Sequence, residues 1–141
     1  MTCRPRLLLA DDHQETADLV RALLAVEFEV IAHVPDGGAL VSAAERLRPD
    51  VIVSDISMPV LDGIAAAAII LRRDPATRIV FMTVHDDPYM VERGLAAGAL
   101  GYVLKIVAGD ELMPAVHAAL RGERHVSQGL HYYTHPIERI C

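Results

Sequence analysis

The residues of this 141-residue chain that are best suited to chemistry each stand at the end of a short apolar run. Asp11 and Asp12 follow the first run, Asp55 and Thr83 follow two later runs, and Lys105 follows the last. Lys105 is the only lysine, whereas arginine occurs twelve times. A lysine ammonium differs from a guanidinium mainly as a compact point charge for a phosphoryl group or a carboxylate. This pattern indicates one site rather than scattered polar residues.

The acidic residues of this pattern need a positive partner. Two carboxylates about 4 Å apart repel by roughly 4 kcal/mol at an effective dielectric constant near 20. Mg²⁺ suits such an all-oxygen site, because it binds through one or two carboxylates together with phosphate oxygens and water. Asp55 is central enough to act as a nucleophile towards phosphorus, as carboxylates do when they form aspartyl phosphates. Lys105 and Thr83 would hold the same phosphoryl group from the far side.

The elements that must position these residues are five apolar runs, which alternate with longer amphipathic segments. The predicted strands are residues 6–10, 29–33, 51–54, 78–82 and 101–104. Nearly continuous apolar strands are typical of parallel sheets that are covered on both faces. The pattern therefore predicts an α/β fold with a five-stranded parallel sheet and helices on both faces. In such sheets a ligand binds outside the carboxyl ends of the strands, where the polar residues of the pattern lie.

The end of the chain is interpreted from a few residues. Asp110 is expected to cap the N-terminus of the last helix, and Gly122 is expected to end it. The preceding helix is expected near residues 88–97. Residues 123–141 show no sustained hydrophobic periodicity, so we expect a linker or a poorly ordered tail in which His125 has no ligand role.

The composition restricts the function classes. Hydrophobic residues make up 52% of the chain but aromatic residues only 4%, so one core of mainly aliphatic side chains is expected. The net charge of −6 argues against non-specific binding of nucleic acid. The two cysteines, Cys3 and Cys141, do not suggest a disulfide framework, which favours a reduced, cytoplasmic setting. We recognise no signal peptide and expect no membrane contact, because the longest apolar stretch is too short to span a bilayer.

Four short pieces of the sequence carry a resemblance to a known family. They are LLADDH at 8–13, SDISMPVLDG at 54–63, MTVHD at 82–86 and GALGYVLK at 98–105. Together and in this order they show that the chain resembles the receiver domain of bacterial response regulators over about residues 5–122. The last piece is most similar to the NarL/LuxR class. The resemblance implies a receiver domain at residues 1–122 with a flavodoxin-like three-layer sandwich of strand order 2-1-3-4-5.

The resemblance also implies roles in phosphoryl transfer. Asp55 would be the phosphoacceptor, and Thr83 and Lys105 would bind the phosphoryl oxygens. Tyr102 would be the aromatic residue whose rotamer follows Thr83, although packing inside a strand explains Tyr102 equally well. A residue that is phosphorylated and dephosphorylated by its own domain would make the chain a phosphoacceptor rather than a turnover enzyme.

The cofactor implied by the resemblance is Mg²⁺. Asp12 and Asp55 would bind the ion together with the backbone carbonyl of Ser57, and Asp11 would act indirectly, through a water molecule or by orienting the metal shell. Ser57 and His85 would flank the route of the hydrolytic water and help to set the rate of dephosphorylation. His85 is also well explained as a solvated loop residue.

The resemblance implies partners as well. The phosphodonor would be a sensor histidine kinase, and phosphorylation is expected to favour a homodimer through a surface that also controls output. The chain would then be part of a transcriptional regulator. Members of the NarL/LuxR class usually carry a helix-turn-helix domain after the receiver, but we recognise none after Gly122. We therefore expect this DNA-binding domain to be absent, and the chain by itself not to bind a promoter.

Two residues depart from the pattern of the family. Ile106 stands where a proline with a cis bond often follows the lysine, which leaves the geometry of the Lys105–Ile106 bond open. Val84 is bulkier than the alanine often found after the switch hydroxyl, and it can narrow access to Asp55. Neither departure removes a reacting group.

Two other function classes use similar residues. A phosphatase of the haloacid dehalogenase type also has a strand-end aspartate, but it needs the pattern Asp-x-Asp and usually a cap domain. Here Asp11 and Asp12 are adjacent, and the chain has no room for a cap. A pseudo-receiver that is never phosphorylated would be an interaction module only. The complete set of acids, hydroxyl and lysine argues against it.

Overall fold

The structure, a computed structural model, describes residues 4–128 and residue 130. Strands and helices alternate along the chain from β1 to α5. The strands are β1 Arg6–Ala10, β2 Glu29–Val34, β3 Val51–Ser54, β4 Arg78–Thr83, β5 Gly101–Leu104 and β6 His125–Val126. The helices are α1 Gln14–Leu24, α2 Gly37–Leu47, α3 Gly63–Arg73, α4 Pro88–Ala96 and α5 Ala108–Leu120, with a 3₁₀ turn at Lys105–Val107. Among the described residues, none of these helices is long and apolar enough to cross a bilayer.

The strands form one parallel sheet in the order β2-β1-β3-β4-β5-β6. This order confirms the predicted α/β fold and the flavodoxin-like arrangement of the first five strands. The direction of winding reverses between β1 and β3, because β2 is added on one side of β1 and the later strands on the other. Asp11 and Asp55 directly follow these two strands, which places them at the topological switch point.

The core lies on both faces of the sheet and is mostly aliphatic, as predicted. Leu8 of β1 and Ile52 of β3 pack on one face with residues of α2, α3 and α4. Leu7 of β1 and Val53 of β3 pack on the other face with residues of α1 and α5. Because side chains alternate across a strand, strands covered on both faces must be apolar at successive positions. The continuous apolar runs in the sequence have this cause.

The sixth strand corrects our interpretation of residues 123–141 as a linker or poorly ordered tail. His125 and Val126 pair in parallel with Gly101 and Tyr102 at the outer edge of β5. A two-residue strand has no period that a sequence pattern can reveal, and it forms because β5 presents unpaired backbone groups at its edge. The remainder of the predicted tail, from residue 131 onwards, lies outside the described residues.

The start of α5 was also predicted wrongly. The helix begins at Ala108, and Asp110 lies in its first turn rather than at its N-cap. The 3₁₀ turn Lys105–Val107 leads directly into the helix and continues its winding, so no capping side chain is needed at Asp110. At the other end the helix stops at Leu120, and Gly122 adopts a left-handed φ of 77°, which agrees with its predicted role.

Candidate functional site

The structure brings the strand-end residues together at the carboxyl edge of the sheet. The ammonium Nζ of Lys105 lies 2.8 Å from Oδ2 of Asp55 and 3.1 Å from Oδ2 of Asp11. Asp12 is adjacent to Asp11. We call these four residues, Asp11, Asp12, Asp55 and Lys105, the acidic pocket. Parallel strands all end at the same edge, so the topology of the sheet alone accounts for this grouping.

Asp55 is held in place from two sides. Its Oδ1 accepts a hydrogen bond of 2.7 Å from the backbone N–H of Ile56, and its Oδ2 accepts one of 2.8 Å from Lys105. Its own backbone N–H donates to the carbonyl of Ala10 in β1. The residue is only 4% exposed. One charged donor and one backbone donor therefore fix the orientation of this buried carboxylate.

The charge of Lys105 is secured by its partners. Burial lowers the pKa of the Lys105 ammonium, but the hydrogen bond and charge of Asp55 and the charge of Asp11 outweigh burial, so the pKa is raised above its ordinary value. The side chain of Lys105 is 17% exposed, which leaves it reachable from solvent. The lysine is therefore a fixed cation at neutral pH, between the carboxylates of Asp55 and Asp11.

Asp11 carries the observation that bears on a metal ion. Its side chain is fully buried, and its Oδ2 has no hydrogen-bond partner among the described residues, although Lys105 lies 3.1 Å away as an ion pair. Buried polar atoms are almost always hydrogen-bonded, so this oxygen, which faces only the Lys105 ammonium, can also accept from an ordered water or face a further cation. Single ligand atoms of Asp11, Asp12, His13 and Asp55 all lie within 4.8 Å of one another. The carboxylate oxygens suit Mg²⁺, and the residues present therefore fit the implied cofactor.

His13 is a member of this cluster that sequence reasoning did not single out. Its Nδ1 lies 3.0 Å from Oδ1 of Asp12 and 3.5 Å from Oδ1 of Asp11, and its backbone N–H donates to the same Asp11 oxygen. The side chain is 68% exposed. The only signal in the sequence is that His13 directly follows the two acids. An imidazole is a poor ligand for Mg²⁺, so His13 is better suited to orienting Asp12 than to binding the ion.

The side chains of Ser57 and His85 are hydrogen-bonded to each other. Ser57 Oγ and His85 Nε2 are 2.5 Å apart, and the backbone N–H of His85 donates to Thr83 Oγ1 at 3.3 Å. Sequence reasoning placed both residues beside the route of water but did not predict that they are bonded to each other. The bond links the loop after β3 to the loop after β4. His85 is therefore a fixed part of the loop structure rather than a freely solvated residue.

Tyr102 lies inside the protein. Its ring is fully buried and makes an edge-on contact with Phe81, at 6.4 Å between ring centroids, and its hydroxyl donates 2.7 Å to the carbonyl of His85. Burial and the negative charges of Asp87, Asp86 and Asp55, in that order, raise the pKa of the Tyr102 phenol. The residue thus serves both as core packing and as a polar contact to the loop that follows Thr83.

Gly94 of α4 makes room for the ring of Tyr102. A β-carbon at this position would lie 3.2 Å from Cδ2 and Cε2 of Tyr102 and 3.2 Å from Cδ2 of Phe81. Such contacts are tighter than ordinary packing, so a side chain at this position would require the ring of Tyr102 or that of Phe81 to shift by a few tenths of an ångström. No sequence pattern marked this glycine.

The two departures from the family pattern leave the acidic pocket intact. No cis peptide bond occurs in the described part of the chain, so the Lys105–Ile106 bond is trans. Ile106 is 90% exposed and Val84 is 70% exposed. Both side chains therefore point into solvent at the rim and do not fill the pocket.

A flavodoxin-like sheet with acids at its switch point and a lysine after β5 defines a class of signalling domain. The family described as response regulator receiver domain matches residues 7–117, and this chain belongs to that family. It is the receiver domain of a two-component response regulator.

Known proteins that resemble the chain agree with this assignment. The transcriptional regulatory protein DegU of Brevibacillus brevis is 36% identical over 86% of this chain and 52% of its own length. The chain therefore spans about half the length of such relatives. A two-component response regulator of the LuxR family from Aurantimonas sp. SI85-9A1 superposes with a TM-score of 0.90 and 31% identity, over 98% of this chain and 99% of that one.

A third relative shares the fold and is known in further states. The receiver domain of RcsB from Salmonella enterica serovar Typhimurium, solved in the presence of the phosphomimetic beryllofluoride, has a TM-score of 0.84 and 26% identity over 92% of this chain and 98% of that one. RcsB has also been solved as dimers bound to DNA. The LuxR-family relative and the receiver domain of the putative response regulator NarL from Mycobacterium tuberculosis, with 29% identity and a TM-score of 0.82, support the NarL/LuxR class that the sequence resembles.

Proposed function

We propose that Asp55 is the phosphoacceptor of this receiver and that a sensor histidine kinase is its donor. The observation that carries the proposal is the position of the Lys105 ammonium, 2.8 Å from the buried Asp55 carboxylate and 3.1 Å from the carboxylate of Asp11. An oxygen of Asp55 attacks phosphorus, the bond from phosphorus to the donor nitrogen breaks, and an aspartyl phosphate results. Lys105 then balances the added negative charge.

The proposed Mg²⁺ site is made of oxygen ligands beside Asp55. Asp12, Asp55 and the backbone carbonyl of Ser57 would hold Mg²⁺, and Asp11 would act indirectly through its buried Oδ2. The bound ion supplies neutralisation of charge on the phosphoryl oxygens. The chain's own contribution is to hold the carboxylates close together at the edge of the sheet while Lys105 offsets their repulsion.

Thr83 and Tyr102 are the proposed switch. Thr83 is fully buried at the end of β4, and its Oγ1 accepts from the N–H of His85, whose carbonyl accepts from Tyr102. If Thr83 turns towards phosphoryl oxygens, this chain of hydrogen bonds carries the change to Tyr102 and to the surface of α4, β5 and α5. The phosphoryl group shifts the equilibrium only as far as it binds one arrangement better than the other.

The bond between Ser57 and His85 is the proposed control of hydrolysis. It joins the loop that follows Asp55 to the loop that follows Thr83, and the attacking water would pass between these loops. The same domain would thus accept and lose its phosphoryl group. On this basis the chain is a cycling phosphoacceptor and not a turnover enzyme.

The proposed output is regulation of transcription through a longer protein. DegU is a transcriptional regulator, and RcsB forms dimers on DNA. We extend both properties to the whole protein of which residues 1–122 form the receiver: phosphorylation favours a homodimer, and DNA is bound through a further domain. With a net charge of −6 the chain by itself is not expected to bind a promoter.

The decisive experiment is labelling with acetyl phosphate and Mg²⁺. The protein should gain the mass of one phosphoryl group, and Asp55→Asn should abolish the gain. Asp18→Asn, an exposed acid on α1, is the matched control and should label normally. Full labelling of Asp55→Asn would exclude Asp55 as the phosphoacceptor.

A further inference from the structure

The segment that follows α5 returns to the sheet and covers the free edge of β5. The backbone N–H of His125 donates 2.9 Å to the carbonyl of Leu100, and that of Ser127 donates 2.9 Å to the carbonyl of Tyr102. Val126 and Leu130 are each 4% exposed and belong to the same core cluster as Tyr102. The matched family region ends at residue 117, so this contact is a feature of the chain outside that region.

The side chain of Ser127 pairs with the next backbone N–H of β5, beyond the pairs that β6 makes. It is fully buried, and its Oγ accepts a hydrogen bond of 3.0 Å from the backbone N–H of Leu104. β6 ends at Val126, so no backbone carbonyl of the strand pairs with this N–H. Leu104 is partly buried, and an amide shielded from water without an acceptor costs free energy, a cost that the hydroxyl of Ser127 removes. We call Tyr102, Leu104 and Ser127 the β5 edge.

We propose that Ser127 is a positioning residue for Lys105. Leu104 immediately precedes Lys105, and the chain turns into the 3₁₀ segment at that point. Fixing the amide of Leu104 therefore fixes the direction in which the Lys105 side chain leaves β5 towards Asp55 and Asp11. The proposal rests on the proposed role of Lys105 in binding the phosphoryl group.

Reciprocity extends the proposal to the segment itself. The hydrogen bond from Leu104 to Ser127 is proposed to favour the Lys105 geometry that binds a phosphoryl group. A phosphoryl group at Asp55 must then favour formation of that hydrogen bond by the same factor in the equilibrium constant. The segment after α5 is thus a strap whose attachment depends on phosphorylation. Whatever follows residue 130 would receive the signal through this attachment as well as through the surface of α4 and α5.

The first test removes the hydroxyl in the full chain. Ser127→Ala should label with acetyl phosphate about fivefold more slowly at saturating Mg²⁺, which corresponds to about 1 kcal/mol in activation free energy. Ser127→Thr, which keeps the hydroxyl, should recover much of that rate. Ser42→Ala, at an exposed position on α2, should label normally. A Ser127→Ala protein that melts earlier but labels at the rate of the unmodified chain would reduce Ser127 to a structural role and overturn the proposal.

The second test needs no substitution, so it holds even if Ser127→Ala fails to fold. Amide hydrogen exchange of Leu104, His125 and Ser127 is measured with Mg²⁺, before and after addition of beryllofluoride. Exchange at all three should slow severalfold. If exchange at these three amides is unchanged while amides around Asp55 respond, the attachment of the segment after α5 does not depend on phosphorylation, and this part of the proposal is wrong. If the unmodified chain neither labels nor responds around Asp55, the proposed function fails instead, and the two failures are thereby distinguished.

Discussion

The acidic pocket and the β5 edge lie side by side on one sheet but depend on different physical properties. In the acidic pocket, topology places Asp11 and Asp55 beside Lys105, and charge balance holds them there. At the β5 edge, Tyr102 depends on free volume beside Gly94, and Leu104 depends on one hydrogen bond from a neighbouring side chain. The pocket should therefore be sensitive to changes of charge, whereas the β5 edge should be sensitive to changes of volume.

The largest expected effect is the loss of the Mg²⁺ response when one charge is removed from the acidic pocket. Mg²⁺ at 100 times its dissociation constant should stabilise the folded protein by about 2.7 kcal/mol, seen as a higher melting temperature. Asp12→Ala should abolish this shift. Without Mg²⁺ the variant should be as stable as the unmodified protein or more stable, because the repulsion between carboxylates is relieved.

The matched control for Asp12→Ala is Asp18→Ala, which removes an exposed acid from α1 outside the pocket. It should keep the full response to Mg²⁺. An Asp12→Ala protein that still responds like the unmodified chain would show that the acidic pocket does not hold the ion. The claim that the acidic pocket is sensitive to changes of charge would then be wrong.

The next largest effect concerns volume at the β5 edge. Gly94→Ala puts a methyl group 3.2 Å from the ring of Tyr102, and overpacking of this kind typically costs about 1–3 kcal/mol. Replacing glycine in a helix by alanine gains up to about 1 kcal/mol, so the net loss of unfolding free energy should be about 1 kcal/mol. Denaturant titration measures the loss, and the NMR shifts of the Tyr102 ring should show it displaced from His85.

Gly109 provides the control for Gly94→Ala. It lies in α5, and a β-carbon there would meet no atom within 4 Å. Gly109→Ala should therefore raise the free energy of unfolding by up to about 1 kcal/mol. The test is whether Gly94→Ala lowers and Gly109→Ala raises the free energy of unfolding. A stabilised Gly94→Ala protein with an unmoved Tyr102 ring would mean that the β5 edge is not limited by volume.

The same contrast explains how much could be predicted from the sequence. Asp11, Asp55 and Lys105 were placed in one site because residues that follow parallel strands must meet at one edge. Ser127 could not be placed, since a hydroxyl that replaces a backbone carbonyl at the end of a two-residue strand leaves no periodic signal. The start of α5 was missed for a similar reason, because a 3₁₀ turn leads into the helix where a side-chain cap was expected.

A smaller effect is expected where the loops of the pocket meet. His85→Ala removes the bond to Ser57 but keeps the backbone carbonyl that accepts from Tyr102. Water should then reach the aspartyl phosphate more easily, and its half-life should shorten by about two- to fivefold, which is about 1 kcal/mol or less in activation free energy. The measurement is the decay of labelled protein after the phosphodonor has been removed.

Ser57→Ala breaks the same bond from the other side. It should shorten the half-life by a similar factor, and the double variant should decay no faster than either single one, because the two side chains act through one contact. Additive effects of the two substitutions, or a half-life that does not change in either, would contradict the idea that this bond limits hydrolysis.

The smallest effect joins the two regions through the phenol of Tyr102. Its pKa is raised by burial and by the charges of Asp87, Asp86 and Asp55, so the phenol stays neutral in the folded protein where an unfolded tyrosine would ionise. The neutral Tyr102 phenol contributes fully to the free energy of unfolding below the pKa that tyrosine has in the unfolded chain. This contribution is lost as the pH rises above about 10. At pH 10, where the unfolded phenol is half ionised, the loss is only about 0.4 kcal/mol, and it grows with further increase in pH.

Stability measured between pH 8 and 11 should therefore fall less steeply in Tyr102→Phe than in the unmodified protein. The same slope in both proteins would contradict the idea that burial and the charges of Asp87, Asp86 and Asp55 keep the Tyr102 phenol neutral. The hydrogen bonds through Thr83 and His85 would then be the proposed connection between Asp55 and Tyr102.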